Sequence, residues 1–408
     1  MGEGVTPDPP GHHRQRGLSF VGLRAEATHA EGWRTPSQSE GTRSVEGHTA
    51  GDRGRRRAGT GDGPAARGTV TVADLPWLAG ASLFASGSHA LVALVRWGAR
   101  RYGWRRVWLP SYYCPDVPAA LRALAAEDVE LRAYPDHALT APPHIAGIPV
   151  APGDVVVVAN QLGIRRAPDA GDVVARGAVI VEDHSHDLGS AWARAGRADY
   201  AFASLRKTLP IPDGGAVWSP RRLELPPEPS GADDRAGPAS GRLAAALVRR
   251  QERAGSADDR LRFLTLARSA ARQADPSSCS GISPVSRALL PLMPVDAWRE
   301  RRRLNLEILL REAEPPRGAR VLLPPAGGVA FAFTLVFDSA GDRERMEQAL
   351  LARAVVPKVI WPLDPARDRG ADQADADLSR RILSVHCDQR YSEEEMHRLA
   401  GLVSASRD

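Results

Sequence analysis

One lysine, Lys207, stands between a strand-like segment and a tight glycine turn in SLRKTLPIPDGG, residues 204–215. An amine that is held at the end of a strand and screened from water can form a Schiff base with a carbonyl compound. The ordinary alternative is a solvated lysine in a surface loop. The residues that accompany Lys207 therefore decide what chemistry it can do.

A carboxylate and two histidines follow an apolar run in VIVEDHSHD, residues 179–187. Asp183 comes where the run ends, and a buried carboxylate needs a partner such as a protonated pyridine nitrogen. His186 is close enough in sequence to contact the same ligand. A metal site made of His184, His186 and Asp187 is the alternative. However, H-x-H is a low-specificity pattern and no second His/Asp cluster completes a metal shell, so we predict no metal.

Small residues open a helical segment in ASGSHAL, residues 85–91. The backbone N–H groups of Gly87, Ser88 and His89, together with the helix dipole, suit a phosphate group. Capping of the helix by Ser86 or Ser88 is the more common role of such a sequence. Taken alone, this segment is a weak indication of a phosphate site.

Further candidates come after other apolar runs. Tyr112 and Tyr113, in LPSYYCPD, could stack on an aromatic ring, although burial in the core is the ordinary role of such a pair. Asn160 ends the run VVVVAN. Arg390, in CDQRY, can hold a carboxylate or phosphate through two hydrogen bonds, or form a surface salt bridge.

The order and spacing of these features resemble the fold-type I pyridoxal phosphate (PLP) enzymes, and within them the DegT/StrS-type aminotransferases. ASGSHAL is similar to the family's small-residue loop, and VEDHSHDLGS to its E-D-x-[AS]-[HQ]-x-x-G motif. FASLRKTLPIPDGGAV resembles its lysine loop, and VHCDQRYSEEEMHRLAGLV its closing strand and helix. The likeness covers about residues 80–408.

The resemblance implies a role for each candidate. Lys207 would form the Schiff base with PLP and move a proton, Asp183 would pair with the pyridinium nitrogen, and His186 would lie near the phenolate oxygen. The phosphate would be held by Gly87, Ser88 and Ser204. The ring face would be covered by Tyr112 or Tyr113, and Asn160 would lie in a polar loop beside the cofactor. The family also implies a homodimer that takes a small-molecule amino donor and a carbonyl acceptor.

Two departures from the family bear on the substrate. The sugar aminotransferases have their serine five residues before the lysine and a G-E-G-G turn, whereas this chain has a spacing of three and P-D-G-G. Cofactor chemistry is therefore better supported than a sugar substrate. The leading hypothesis is a PLP-dependent aminotransferase, with sugar or natural-product biosynthesis as its expected setting. A PLP-dependent lyase or other Cα/Cβ chemistry, a non-catalytic PLP-binding homologue and a metal-dependent hydrolase are the alternatives.

Composition excludes several other classes. The 408 residues are 43% hydrophobic and 25% charged, with a net charge of +5, and the arginine runs 55–57 and 301–303 lack interleaved aromatics, which argues against nucleic-acid binding. Three distant cysteines predict neither a disulfide framework nor a structural zinc site. No apolar run could span a membrane, and no signal-peptide core is present, so we predict a cytoplasmic protein without membrane contact.

The elements that must position these residues follow an α/β pattern. Continuous β-branched runs separated by helix-sized segments predict a mostly parallel sheet covered on both faces, the large domain of a fold-type I PLP-transferase. Shorter strands and helices then predict a smaller C-terminal α/β domain. We expect a disordered tail or mis-annotated start at 1–67, a large PLP-binding domain at 68–290 with a helical insertion at about 241–274, and an interdomain helix and small domain at 291–408.

Overall fold

The computed structural model describes residues 74–406, and nothing is described for several positions inside that range. These are residues 123, 125–128, 137, 138, 140, 141, 230–235, 252–264, 267, 268, 270–278 and 366–371. The predicted tail at 1–67 therefore lies outside the described residues, as does most of the second half of the predicted insertion at 241–274.

A seven-stranded sheet forms the centre of the molecule, with strands in the order β1-β7-β6-β5-β4-β2-β3. The five strands β3, β2, β4, β5 and β6 pair in parallel, whereas β7 pairs antiparallel with both β6 and β1. The seven strands are Ser82–Phe84 (β1), Arg106–Pro110 (β2), Glu130–Tyr134 (β3), Val155–Ala159 (β4), Val179–Asp183 (β5), Tyr200–Ser204 (β6) and Gly215–Trp218 (β7).

Hydrophobic pattern explains the central strands. All five residues of β4 and all five of β6 are buried, which is the pattern of parallel strands that are covered by other elements on both faces. The prediction of a mostly parallel α/β sheet is confirmed. Because parallel strands share a direction, the ends of β4, β5 and β6 meet at one edge.

A second, three-stranded antiparallel sheet has the order β10-β9-β8. Its strands are Ala319–Val321 (β8), Phe333–Phe337 (β9) and Ile382–Val385 (β10). Apolar residues of β9 and β10 pack with residues of four helices in one core cluster, which also includes Tyr112, Leu162 and Ile164 from the loops after β2 and β4. The two sheets are therefore joined by shared apolar packing.

Ten α-helices are described. They are Gly87–Tyr102 (α1), Asp116–Leu121 (α2), Gly171–Ala175 (α3), Ala191–Arg194 (α4), Ala236–Gln251 (α5), Pro284–Leu289 (α6), Val295–Glu312 (α7), Ala340–Ala352 (α8), Gln373–Arg381 (α9) and Glu393–Ser404 (α10). None of these helices combines the length and apolar character needed to cross a lipid bilayer.

Side-chain caps determine where several helices begin. Ser86 caps α1 by accepting a hydrogen bond from the His89 N–H, and Ser392 forms a capping box with Glu395 at the start of α10. Asp296 lies in the first turn of α7, which begins at Val295, and its carboxylate interacts favourably with the positive end of the helix dipole.

Candidate active site

Polar residues from three neighbouring strands meet at the carboxyl edge of the parallel sheet. Asn160 follows β4, Asp183 ends β5, and Ser204 ends β6. The Asn160 N–H donates to the Asp183 carbonyl oxygen at 3.0 Å, and the Ser204 N–H donates to the Ser185 hydroxyl at 2.9 Å. Ligands of parallel α/β proteins bind at this edge, so the position itself suits a functional site.

Asp183 is buried, with 9% of its surface exposed. The Tyr113 hydroxyl donates to its Oδ2 at 2.6 Å, and the Ser185 N–H donates to its Oδ1 at 2.8 Å. Burial, together with the Asp183 charge, raises the pKa of Tyr113 well above its ordinary value. Tyr113 therefore keeps its proton and remains a donor to the carboxylate.

Lys207 ends a short 3₁₀ turn that directly follows β6. Its Nζ lies 3.3 Å from Nε2 of His186 and 5.8 Å from the ring centroid of Trp361. The side chain is only partly exposed. The amine thus faces an imidazole and an indole, which differs from the surroundings of a fully solvated surface lysine.

His186 is held by contacts on both its ring edge and its ring face. The Leu162 N–H donates to Nδ1 at 2.9 Å, and the ring stacks with Phe331 and Trp361 at centroid distances of 4.6 and 5.5 Å. Burial, followed by the charges of Lys207 and Arg302, lowers the pKa of His186 well below its ordinary value. A neutral ring whose Nδ1 accepts carries its proton on Nε2, the atom that faces Lys207.

Two glycines allow the first turn of α1 to lie against β6 and β7. A Cβ on Gly87 would be 3.0 Å from the Ser204 Cβ, and a Cβ on Gly215 would be only 2.1 Å from the Ser86 carbonyl oxygen. Backbone can approach backbone this closely only where a side chain is lacking. The approach places Gly87, the first residue of α1, beside Ser204.

The two tyrosines of the LPSYYCPD segment have separate surroundings. Tyr112 is fully buried in the core shared by the two sheets, and its hydroxyl donates to the Ile360 carbonyl oxygen. Burial raises its pKa. The Tyr113 hydroxyl instead reaches Asp183, and both tyrosine rings lie near Trp361, at centroid distances of 5.9 Å for Tyr112 and 6.2 Å for Tyr113. Of the pair, Tyr113 is the residue at the polar cluster.

Two other predicted site residues bind carboxylate or amide groups of this chain. The Asn160 Oδ1 accepts from the Arg165 N–H at 3.1 Å, which closes the loop after β4. The Arg390 guanidinium contacts Asp388 through two hydrogen bonds, at 2.7 Å from Nε and 2.6 Å from a terminal nitrogen. The two-pronged geometry expected of Arg390 is therefore present, with a carboxylate of the chain itself as the partner.

The residues weighed as metal ligands lie in different environments. His184 faces Glu182, with Nε2 3.0 Å from its carboxylate, and its ring stacks with Trp218. Asp187 forms a two-pronged ion pair with Arg299, with both N–O distances at 3.1 Å. In the part of the chain that the structure describes, no group of three or more His, Cys, Asp or Glu residues is arranged to hold a metal ion.

Sequence reasoning missed Lys358, Phe331 and Trp361, which come from the C-terminal part of the chain. Burial, followed by the charges of Arg390, Arg206 and Lys207, lowers the pKa of Lys358 to about 8. A compositional signal was present, because Lys207 and Lys358 are the only lysines among the 54 basic residues. The two aromatic residues had no comparable signal, since nothing local marks them as partners of His186.

Comparisons with known proteins support the fold. No protein-family profile matches the chain, and no curated protein sequence matches it. Solved structures do. The aminotransferase TlmJ from Streptoalloteichus hindustanus has 21% identity and a TM-score of 0.51, covering 80% of this chain and 85% of that one.

Two further structures extend the likeness. PseC of Helicobacter pylori, an aminotransferase of pseudoaminic acid biosynthesis, has 12% identity and a TM-score of 0.56, covering 80% of this chain and 86% of that one. The sugar aminotransferase CalS13 from Micromonospora echinospora has 15% identity and a TM-score of 0.53, covering 80% and 87%.

The chain shares the fold of these aminotransferases, among which is a sugar aminotransferase. This confirms both the fold class and the resemblance expected from the sequence motifs. Because all of these identities are below 25%, the likeness carries the architecture, and the chemistry must be argued from the residues of the site.

Proposed function

We propose that the protein is a PLP-dependent aminotransferase that moves an amino group from an amino acid donor to a keto or aldehyde acceptor, in sugar or natural-product biosynthesis. The observation that carries this proposal is the position of Lys207. One of only two lysines in the chain follows a central parallel strand and faces a buried, neutral imidazole. The fold shared with known aminotransferases supports it.

The residues around Lys207 fit PLP on three sides. The N-terminal N–H groups of α1 at Gly87 and Ser88, with the Ser204 hydroxyl, would offer donors to a phosphate, because Gly87 lies closely against Ser204. Asp183 offers a buried carboxylate to a pyridinium nitrogen. Lys207 offers an amine for covalent attachment.

When bound, PLP supplies an electron sink for the bonds at the substrate Cα. The chain's own residues hold that chemistry in place. Lys207 would hold the cofactor through its Nζ and would carry a proton at that atom. Asp183 would offer its buried carboxylate to a protonated pyridine nitrogen, and His186 holds Nε2 towards Lys207.

Tyr113 and Trp361 complete the proposed pocket. Tyr113 donates to Asp183 and would lie against the ring edge or face, and Trp361 covers the side formed by His186 and Lys207. Asn160 closes the loop after β4 by accepting a hydrogen bond from the Arg165 N–H. Together these side chains would exclude water from Lys207, which strengthens the electrostatic contacts within the site.

Substrate recognition is proposed for Arg390 and its neighbour Lys358. The charges of Arg390, Arg206 and Lys207 all act on Lys358, so the region beside the proposed covalent lysine is rich in cations. A carboxylate or phosphate on a substrate would be drawn there, competing with Asp388 for Arg390. We also propose the domain division at about residue 290 and a homodimer, as the family implies.

An absorbance titration tests the proposed function. Purified full-length protein with added PLP should develop a visible band, and L-glutamate should bleach that band to the pyridoxamine form. The variant Lys207→Ala should develop no such band, whereas Lys358→Ala, which removes the other lysine, should retain it. A band that Lys207→Ala keeps, or that no amino donor bleaches, would contradict the proposed transamination.

A further inference from the structure

A six-residue loop after β4, residues 160–165, is closed by a fully buried ion pair. The guanidinium of Arg165 donates to Asp136 at 2.7 and 2.5 Å, and both side chains have no exposed surface. The Arg165 N–H also donates to Asn160 Oδ1 at 3.1 Å. The pair thereby ties the loop end to the segment that follows β3.

The apex of the same loop binds His186. Leu162 has a φ of +56°, a conformation that residues with a Cβ rarely adopt. In this conformation its N–H donates to His186 Nδ1 at 2.9 Å, and its carbonyl oxygen accepts from the Phe331 N–H at 2.7 Å. Phe331 in turn stacks on the His186 ring. The loop therefore fixes both an edge and a face of one imidazole.

A buried ion pair is an inefficient way to stabilise a fold. The cost of taking two charges out of water is large, and apolar residues of similar size often stabilise a core equally well. What such a pair provides is a defined geometry, because the flat guanidinium meets the carboxylate in one orientation. A pair that encloses the loop holding His186 therefore suits a positional role.

We propose that Arg165 is a positioning residue that acts through the Leu162 N–H to hold His186 in the tautomer whose Nε2–H faces Lys207. In this tautomer the ring presents its Nε2–H to the Lys207 amine, whose Nζ lies 3.3 Å from Nε2. The proposal rests on the proposed function only in giving that amine its task. The tautomer itself is a property of this chain without any cofactor.

The test is nitrogen NMR of the full-length protein, labelled with ¹⁵N histidine and free of cofactor. His186→Gln identifies the two ring resonances of His186 among those of the 11 histidines. In the unchanged protein we expect one unprotonated Nδ1 and one protonated Nε2. The double variant Arg165→Met with Asp136→Val removes both charges and so leaves no unpaired buried ion. There we expect both resonances to shift towards the average of two exchanging tautomers.

A matched control separates position from stability. Arg106→Met breaks another arginine–aspartate pair, the one that Arg106 forms with Asp154 at the amino end of the parallel strands. This variant should leave the His186 resonances unchanged. Arg165→Lys keeps a charge beside Asp136 but lacks the two-pronged contact, and it should shift the resonances partway. If the double variant and Arg165→Lys both keep the single Nε2–H form, the proposal is wrong.

The outcomes also distinguish this proposal from the proposed function. Covalent attachment of PLP to Lys207 is measured separately on the same variants. If the double variant changes the tautomer but the unchanged protein does not attach PLP to Lys207, Arg165 remains the positioning residue and the cofactor assignment is wrong. If PLP attaches normally to Lys207 but the double variant keeps the tautomer of the unchanged protein, the cofactor assignment stands and the proposed role of Arg165 is wrong.

Discussion

The two ends of the parallel strands use similar residues in different ways. At the amino end, Arg106 contacts both oxygens of Asp154, and the Trp108 indole donates to the same carboxylate. At the carboxyl end, Arg165 contacts Asp136 and Tyr113 donates to Asp183. Each end thus has an arginine–aspartate pair and an aromatic donor to a buried carboxylate.

The difference lies in where these contacts lead. The Arg106 side chain remains 30% exposed, and the contacts of Asp154 connect β2 and β4 to one another. The Arg165–Asp136 pair has no exposed surface and leads through a loop to His186 and then to Lys207. We infer that polar groups at the amino end close the sheet, whereas those at the carboxyl end orient reactive groups.

The same Asp→Asn substitution at each end of the parallel strands should give the largest difference in amino-transfer turnover. Asp183→Asn is expected to lower amino-transfer turnover by about a thousandfold, because it removes a preorganised charge that the cofactor ring requires. Asp154→Asn should lower the free energy of unfolding by about 2 kcal/mol, since it weakens hydrogen bonds to a charged group. Turnover per folded molecule should stay near that of the unchanged protein. Steady-state kinetics and urea unfolding of both variants check this prediction.

Loss of one arginine from each ion pair sharpens the contrast in stability. Arg165→Met should lower the free energy of unfolding by about 4 kcal/mol, because it leaves Asp136 buried without its partner. Arg106→Met should cost only about 1 kcal/mol, since that arginine is partly exposed and other donors still contact Asp154. Equal losses in urea unfolding would show that the two pairs do not differ in this way.

A buried histidine extends the comparison to the small sheet. His386 follows β10, and burial, with the charges of Lys358 and Arg390, lowers its pKa to about 4. Because the unfolded chain takes up this proton near pH 6.5 and the folded chain only near pH 4, stability should fall as the pH drops through that window. The loss should reach about 3 kcal/mol, and His386→Gln should remove it.

Thermal or urea unfolding at several pH values measures that effect. His186, whose pKa is also lowered, should leave a residual loss in the same direction after His386→Gln. A pH dependence that His386→Gln leaves unchanged would show that this histidine is not protonated differently in the folded and unfolded chains.

The smallest expected effect concerns Lys358. With a pKa of about 8, its amine should become reactive at a lower pH than an exposed lysine with an ordinary value of 10.5. Competitive acetylation followed by mass spectrometry can follow it, because the chain has only one other lysine. Arg390→Met removes one of the charges that lower this pKa, so the labelling curve should then move to higher pH.

Much of the site was predictable from apolar runs. Each of the apolar runs that form β4, β5 and β6 ends at or just before a polar side chain, so the positions of Asn160, Asp183 and Ser204 along the chain were sufficient to place them at one sheet edge. Lys207 followed from the same reasoning, because it comes three residues after Ser204. These positions depend on local sequence and on strand direction alone.

Other features depend on distant parts of the chain. His184 and His186 are separated by one residue, yet one faces Glu182 and Trp218 while the other faces Lys207, Phe331 and Trp361. Their sequence context does not distinguish them. Likewise, the different surroundings of Tyr112 and Tyr113 follow from the segment around Ile360, almost 250 positions away.

The most direct test of the central claim locates the covalent cofactor. Full-length protein is incubated with PLP, reduced with borohydride and digested, and the peptides are examined by mass spectrometry. We expect the added mass on Lys207 alone. It should be absent from Lys207→Ala, whereas Lys358→Ala should be labelled as fully as the unchanged protein. Label on Lys358 instead, or no label on either lysine, would contradict the assignment of Lys207 as the residue that binds the cofactor.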